Sequence, residues 1–406
     1  MAKILIVSQY FWPEDFRIND LTQILSAHDH KITVLTGQPN YPQGQCFTGY
    51  SWWKFSSEKY GQAHVIRVPL VPRNKGRALN LILNYLSFIF FSFLLLPYLL
   101  TQKFDYVIGW GTSPFFQSTT GLVLAKLKKI PFYVWILDLW PESLSATGTI
   151  QNKKALNFIL VFVRLFYTHC TKILCISQSF ISHIHEQGIH PKKLFYFPNW
   201  AENTYQRQNM IHPKTLSPNF VIPSGTIFTY AGNIGEAQDI ECLIQAMHLC
   251  KNDKTIHFLI LGEGRKKEFL EKQIIELQLS SNVHILGHFP QQDMPYFFNH
   301  TDAFIVTLKN EDIFAKTLPG RVMSFMAAGK PIIAAAGHEI DSVLKKSHAG
   351  LSSQAGNAQL LAQNIKYFCG LESVEKQKMG SQSKLYFEQN FNRQNVYQNL
   401  MKILNS

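Results

Sequence analysis

Short, continuous apolar runs alternate with segments of helical period along most of the chain. KILIVS (3–8), ITVLT (32–36), 65–69, DYVIGW (105–110), PFYVWIL (131–137), 173–177 and 195–198 read as strands. Strands that are apolar at nearly every position belong to sheets covered on both faces, and such sheets are parallel. Between the first two, Ile18, Leu21, Ile24 and Leu25 fall on one helical face. The pattern restarts after a polar stretch at 205–224, with strands at 226–230, 257–261, 283–286, 303–307 and 332–336 and a helix at 240–249. Two helices close the chain, at 372–389 and 392–404. The expectation is α/β: two consecutive Rossmann-like parallel-sheet domains facing each other across a cleft, 1–204 and 225–370, with terminal helices at 371–406 that have no strand to follow them.

Two stretches depart from plain alternation. Residues 79–100, LNLILNYLSFIFFSFLLLPYLL, carry no charge over 22 positions, long enough for a membrane span. A span would put the flanking strands of one domain on opposite sides of the bilayer. The run is therefore read as a helix either buried in the domain or lying in a membrane interface, with Arg73, Lys75 and Arg77 just upstream favouring the interface. A second apolar helix is expected at 155–169. The other stretch is 314–336, FAKTLPGRVMSFMAAGKPIIAAA, read as loop, helix and strand. Pro319 suits the first helical position, Val322, Met323, Phe325 and Met326 share a buried face, and Gly329 ends the helix. Its opening residues Gly320 and Arg321 would set free N–H groups beside a guanidinium, an arrangement suited to phosphate.

Charge adds a direction. The net +12 is uneven: residues 1–204 hold 19 Lys/Arg and 10 Asp/Glu, residues 205–406 hold 20 and 17. A basic first half suits an anionic partner such as a membrane surface. No basic runs interleaved with aromatics suggest a nucleic-acid groove. Six scattered cysteines without CxxC spacing and a start that enters a strand at once read as reduced thiols of a cytoplasmic protein. His183 and His185, two apart on a helix, face different ways, so no metal pair is expected.

Ligands of parallel sheets bind beyond the strands' carboxyl ends. Asp138 and Glu142 in DLWPES follow a strand there, although Asp138 equally reads as a helix cap. The loop after the first strand, QYFWPEDF, has no GxGxxG, which removes the dinucleotide fingerprint. The long loop 37–62 is aromatic and is expected to be ordered and functional.

The motifs SQYFWPEDFRIND (8–20), VLTGQPNYPQG (34–44), DLWPES (138–143), PNWAE (198–202), YAGNIGEAQD (230–239), LGEG (261–264) and MAAGKPII (326–333) occur in this order. Together they make the chain resemble the retaining glycosyltransferases of family GT4, which have the GT-B arrangement. The resemblance is to the WbuB-like bacterial subgroup that includes N-acetyl-L-fucosamine transferases of O-antigen and capsule assembly. It implies transfer from a UDP-sugar to a polyprenyl-diphosphate-linked acceptor at the cytoplasmic face of the inner membrane, with neither cofactor nor metal. It places the donor in the second domain, at Asn233, Gly235, Glu236, Gln238, Gly262, Arg265, Gly320 and Ser324. Asp138, Arg321 and Lys316 are the implied catalytic groups, and Arg17 and Glu142 the implied acceptor or phosphate contacts. Plain alternatives stand beside several of these. Arg17 reads as a surface ion pair, Arg265 as a solvated helix end, and Glu236 as a loop charge.

The chain departs from the wider family at two places. Two glutamates eight apart are replaced by Lys316 and Ser324, and an Arg and a Lys after the first strand of the second domain by Asn233 and Gln238. Arg321, Lys316 and Arg265 are then the candidates for the missing positive charge. Two other readings remain open: a UDP-GlcNAc 2-epimerase-like GT-B enzyme, and a catalytically silent membrane-bound GT-B subunit.

Overall fold

A computed structural model describes residues 1–74, 78–146, 148–201, 205 and 211–405. Lys75 and Arg77, singled out above, lie outside the described residues, as do the last residue of the motif PNWAE and part of the polar stretch 205–224. The chain divides into two compact units, Met1–Phe197 with Asn405, and Pro198–Leu404.

The first unit runs β1 (Lys3–Val7), α1 (Arg17–Ala27), β2 (Lys31–Gly37), β3 (Ser56–Tyr60), β4 (Ala63–Val68), α2 (Ala78–Leu94) and α3 (Leu96–Thr101). It continues through β5 (Tyr106–Gly111), α4 (Thr119–Lys128), β6 (Phe132–Ile136), α5 (Glu142–Ala146), α6 (Lys153–His169), β7 (Lys172–Cys175), α7 (Gln178–Glu186) and β8 (Leu194–Tyr196). The sheet order is β3-β4-β2-β1-β5-β6-β7-β8. β1 sits centrally, paired in parallel with β2 and β5, which is why all four residues Ile4–Val7 are fully buried. The topological switch lies between β1 and β5.

The sheet is not all-parallel as expected. β3 pairs antiparallel with β4, inside the stretch read as the long loop 37–62. Its sequence, SSEKY, is polar because an edge strand needs no second covered face. The apolar run 79–100 is not one helix either. It divides at Leu95 into α2 and α3. Pro97 has no N–H for the helical ladder, and its ring clashes with the preceding turn. Among the described residues no helix is long and apolar enough to cross a membrane. Capping follows the side chains present. Asn152 accepts from the N–H groups of Lys154 and Ala155 to start α6, and Ser177 from Phe180 to start α7.

The second unit runs β9 (Thr226–Ala231), α8 (Ile240–Cys250), β10 (Ile256–Leu261), α9 (Lys267–Glu276), β11 (Val283–Gly287), α10 (Met294–His300), β12 (Ala303–Thr307) and α11 (Asp312–Ala315). Then come α12 (Gly320–Ala327), β13 (Ile332–Ala336), α13 (His338–Ser347), β14 (Gly350–Gln354), α14 (Ala358–Gly370), α15 (Ser373–Asn390) and α16 (Arg393–Asn405). Its parallel sheet has the order β11-β10-β9-β12-β13-β14, so the switch lies between β9 and β12. Strand β14 was not expected, since GLSSQ is half polar; it closes the sheet edge on β13. Two apolar layers cover the faces. One includes Phe304, Phe325, Phe387 and Phe391, so α15 is built into this unit's core. The other is centred on α8 and α14.

In α12, Val322, Met323, Phe325 and Met326 are buried as the spacing predicted, and Gly329 has φ +67°. Phe325 stacks flat on Phe304 of β12, with ring centroids 3.8 Å apart. Pro319 stands one position earlier than expected. Its ψ of 140° is extended, so it is the N-cap and Gly320 the first helical residue.

Candidate active site

The carboxyl ends of β9 and β10 carry the loops 232–239 and 262–266, which are zipped together by backbone bonds. Ile234 N–H donates to Glu263 O (2.8 Å) and Lys266 N–H to Ile234 O (2.9 Å). The closeness depends on glycine. Gly262 (φ +151°) would place a Cβ 1.9 Å from Gly232 O, and Gly264 (φ +157°) one 2.2 Å from Ile234 O. No side chain fits either place, and both conformations disfavour L-residues. Asn233 lies against Gly264 and Gly235, and its carbonyl accepts from the Tyr230 hydroxyl at 2.5 Å.

Arg321, in the first turn of α12, reaches this loop. Its guanidinium lies 5.1 Å from the Tyr230 ring centroid, donates to Thr307 O at 3.3 Å, and rests on Gly232. Since Tyr230 belongs to β9 and Thr307 ends β12, the cation sits at the topological switch. Gly320 beside it faces open space, where an added Cβ would meet nothing within 4 Å. Ser324 follows one turn on, nearly buried.

Two further cations converge here. Lys309, whose N–H donates to Ala237 O (3.0 Å), meets Glu236 at 2.9 Å, and Lys266 meets Glu236 at 3.4 Å and Glu241 at 2.7 Å. The bond from Lys309, with Lys266 behind it, holds the Glu236 carboxyl below its ordinary range. Thr307 Oγ1 donates to Gln238 O, and Gln238 Oε1 is buried without a hydrogen-bond partner among the described residues.

The structure thus gathers Asn233, Gly235, Glu236, Gln238, Gly262 and Arg321 around one loop pair. Lys316 is turned to Asp312, one helical turn back. Arg265 is exposed, whereas its neighbour Lys266 turns inward. Lys309 and Lys266 escaped the sequence reading, although both follow strand ends in a parallel sheet.

In the first unit, Asp138 follows β6 and accepts a hydrogen bond from Ser113 Oγ, and Trp140 Nε1 donates to Ser113 Oγ at 2.7 Å. Burial pushes the Asp138 carboxyl up, against the pull of Ser113, Ser143 and Trp140. Both Asp138 and Ser113 line a cavity of about 760 Å³ between α2 and α6. Glu142 lies elsewhere, engaged with His183 (2.7 Å) and Gln187 (3.3 Å). Arg17 opens α1, half-buried, and is not among the residues of the cavity.

The ends of β1, β2 and β4 are tied by Glu14, which the sequence did not single out, and by Arg73, read there only as a basic flank of the apolar run. Glu14 accepts from the N–H groups of Phe11 (3.1 Å), Asn40 (2.8 Å) and Tyr41 (2.7 Å), and burial nevertheless lifts its carboxyl to about 7. Arg73 lies over Tyr41 (5.0 Å) and donates to the Tyr10 hydroxyl at 3.3 Å. Among the described residues, no group of three or more His, Cys, Asp or Glu side chains stands together as metal ligands.

Two α/β units, the second with a glycine-built loop pair and a cation at its switch point, have the GT-B fold. Residues 16–200 match the family profile "Glycosyl transferase 4-like domain" and residues 217–385 match "Glycosyl transferases group 1". The two matches cover most of the sequence, and the chain belongs to these glycosyltransferases. WcaI of Escherichia coli (strain K12), named as a glycosyl transferase of colanic acid biosynthesis, is 28% identical over 340 residues, 80% of this chain and 81% of its own. WbjE of Pseudomonas aeruginosa, named as a glycosyltransferase, is 25% identical over 307 residues, 74% of each chain. Among solved structures, HepE of Anabaena in complex with UDP superposes with a TM-score of 0.70 over 100% of both chains at 14% identity. Sucrose-phosphate synthase of Thermosynechococcus elongatus gives 0.74 over 99% of this chain and 98% of its own, also at 14%.

Proposed function

We propose that the protein moves a sugar, with N-acetyl-L-fucosamine the first choice, from its UDP carrier to a polyprenyl-diphosphate-linked glycan during surface polysaccharide assembly. The observation that carries this reading is Arg321 at the β9/β12 switch, beside the open start of α12 and against a loop pair closed by glycine. A pyrophosphate there meets helix N–H groups and a planar cation, while Lys309 and Lys266 are balanced by Glu236 and Glu241. The names of WcaI and WbjE and the UDP bound by HepE support the same direction.

The sugar–phosphate bond loosens as the acceptor hydroxyl approaches on the same face, and the departing phosphate takes its proton. The anomeric configuration is retained. Arg321 stabilises the charge growing on that phosphate, so catalysis is largely positioning and electrostatics. Lys316, Ser324, Gly320, Arg265, Asn233, Gly235, Glu236, Gln238 and Gly262 are assigned to the donor side. Asp138, with Arg17 and Glu142 near the loops of the first sheet, is assigned to the acceptor side. No metal or cofactor is called for.

The work site proposed is the cytoplasmic face of the inner membrane. The outward faces of α2 and α6 are strongly apolar, with Phe90 60% and Val161 62% exposed. Trp52, Trp53 and Phe55 are exposed as well, and Phe55 touches Phe91. Aromatics around an apolar face suit the headgroup level.

A panel of UDP-sugars, offered with a polyprenyl-diphosphate-linked sugar in membranes, tests the reading through acceptor-dependent UDP release. N-acetyl-L-fucosamine should give the fastest release. Conversion of UDP-GlcNAc alone would make the protein an epimerase. Lys316 and Ser324 in place of the glutamates motivate the reading as a silent subunit, which a lack of UDP release with every donor would support.

A further inference from the structure

The cavity of the first unit joins two chemically different surroundings. Its walls are aromatic and branched, including Phe115, Phe116, Phe162 and Phe166, and it opens between α2 and α6, whose outer faces are the exposed apolar ones. Its inner end is polar and coincides with the carboxyl ends of β5 and β6, where Ser113 and Asp138 meet. Tyr85 also lines it, and beyond Tyr85 the Tyr10 hydroxyl accepts from Arg73 at 3.3 Å. The chamber therefore runs from hydrocarbon surroundings to the polar pair Ser113 and Asp138, with the Arg73 guanidinium behind Tyr85 and Tyr10.

Water gains little in such a chamber, because apolar cavities of this kind stay dry and take hydrocarbon instead. Its volume of about 760 Å³ is in the range of built ligand sites, about 300–1,000 Å³. We infer that the cavity seats the first isoprene units of the acceptor's own chain, with the chain's phosphorylated head beside Arg73. This rests on the proposal of a lipid-linked acceptor and deepens it. Beyond docking on the membrane, the protein draws the chain inside and so sets the depth and orientation of the head. Arg73, beyond Tyr85 and Tyr10, favours a phosphorylated amphiphile over a neutral one, and the chamber between two helices has room for one chain.

The test uses the full-length protein in detergent, without UDP-sugar. The probe is a farnesyl diphosphate analogue carrying a benzophenone at the chain end, with labelled peptides mapped by mass spectrometry. Label is expected on cavity residues of 81–86, 113–122 and 158–166, competed by farnesyl diphosphate at about tenfold lower concentration than by palmitate or phosphatidylglycerol. Ile159→Trp, which fills the chamber, should cut labelling about tenfold while binding to phosphatidylglycerol vesicles and the unfolding temperature stay as in the wild type. Leu81→Trp serves if the first variant fails to fold. Arg73→Gln should weaken competition by farnesyl diphosphate and leave that by farnesol unchanged. Label confined to outward positions such as Val161, or wild-type labelling in both filled variants, overturns the inference. Equal competition by palmitate or phosphatidylglycerol overturns it in favour of an ordinary acyl-chain site. Since no turnover enters, a chain that labels in the cavity but transfers no sugar refutes the transferase reading alone. An active transferase that does not label there refutes only the cavity.

Discussion

Replacing Arg321 by alanine separates the work of this side chain in binding from its work in folding. In the folded protein the guanidinium spends itself partly on Thr307 O, at 3.3 Å, and on the Tyr230 ring, at 5.1 Å. The ring contact contributes roughly 0.5–1 kcal/mol, and a long, half-exposed bond to a carbonyl adds a similar amount at most. A loss of about 1–2 kcal/mol in a unit of this size lowers its unfolding temperature by about 2–8 °C. The remaining N–H donors of the planar fork are those a pyrophosphate would use. A hydrogen bond to a charged partner is worth about 1.5–3 kcal/mol, which is roughly ten- to a hundred-and-fifty-fold in affinity. Calorimetric titration with UDP should show that weakening, and acceptor-dependent UDP release should fall at least as far, since charge on the leaving phosphate grows in the transition state. Arg321→Lys should fall between, keeping the charge without the fork. Wild-type UDP affinity and turnover in Arg321→Ala, in a protein melting only a few degrees lower, would refute the phosphate assignment.

Gly262→Ala would force a Cβ to 1.9 Å from Gly232 O at φ +151°, so UDP binding and the second unit's stability should both collapse. Gly370→Ala, whose methyl meets nothing within 4 Å, should stay within about 0.5 kcal/mol; thermal unfolding of the pair decides. Burial lifts the Glu14 carboxyl from 4.5 to about 7, so its contribution is fully present below about 4.5 and lost as pH rises through about 7. Against Glu14→Gln, the wild type should therefore lose on the order of 3 kcal/mol of relative stability over that window, measurable by denaturant titration at several pH values. An unchanging difference between the two proteins would contradict it. Phe90→Glu combined with Val161→Glu should weaken binding to phosphatidylglycerol vesicles by at least about tenfold, read by flotation; equal flotation would remove the apolar face as the membrane contact.

Much of the strand and helix framework could be read directly because its residues satisfy purely local demands. Ile4–Val7 are apolar throughout since β1 is central, and the spacing of Val322, Met323, Phe325 and Met326 follows from one covered helix face. SSEKY and GLSSQ escaped for the converse reason: edge strands leave part of their surface uncovered and so lose the apolar signature. The break before Pro97 was legible from proline's missing N–H but was masked by the uncharged run around it.

The sequence by itself determined two parallel-sheet domains, the burial pattern of their central strands, and the glycines and Arg321 that the proposed phosphate site would use. Those demands act within a few residues, through side-chain period, backbone freedom and helix-terminal N–H groups. Which charges meet was decided only by tertiary structure. Lys309 and Glu236 are 73 residues apart, and they come together because β9 and β12 are neighbours in the sheet. Lys316, nearer in sequence to Arg321, is directed to Asp312 instead. The cavity between α2 and α6 has the same origin. Phe116, Asp138 and Phe162 share a wall because strand order and helix packing, which no local pattern encodes, bring their three segments to one place.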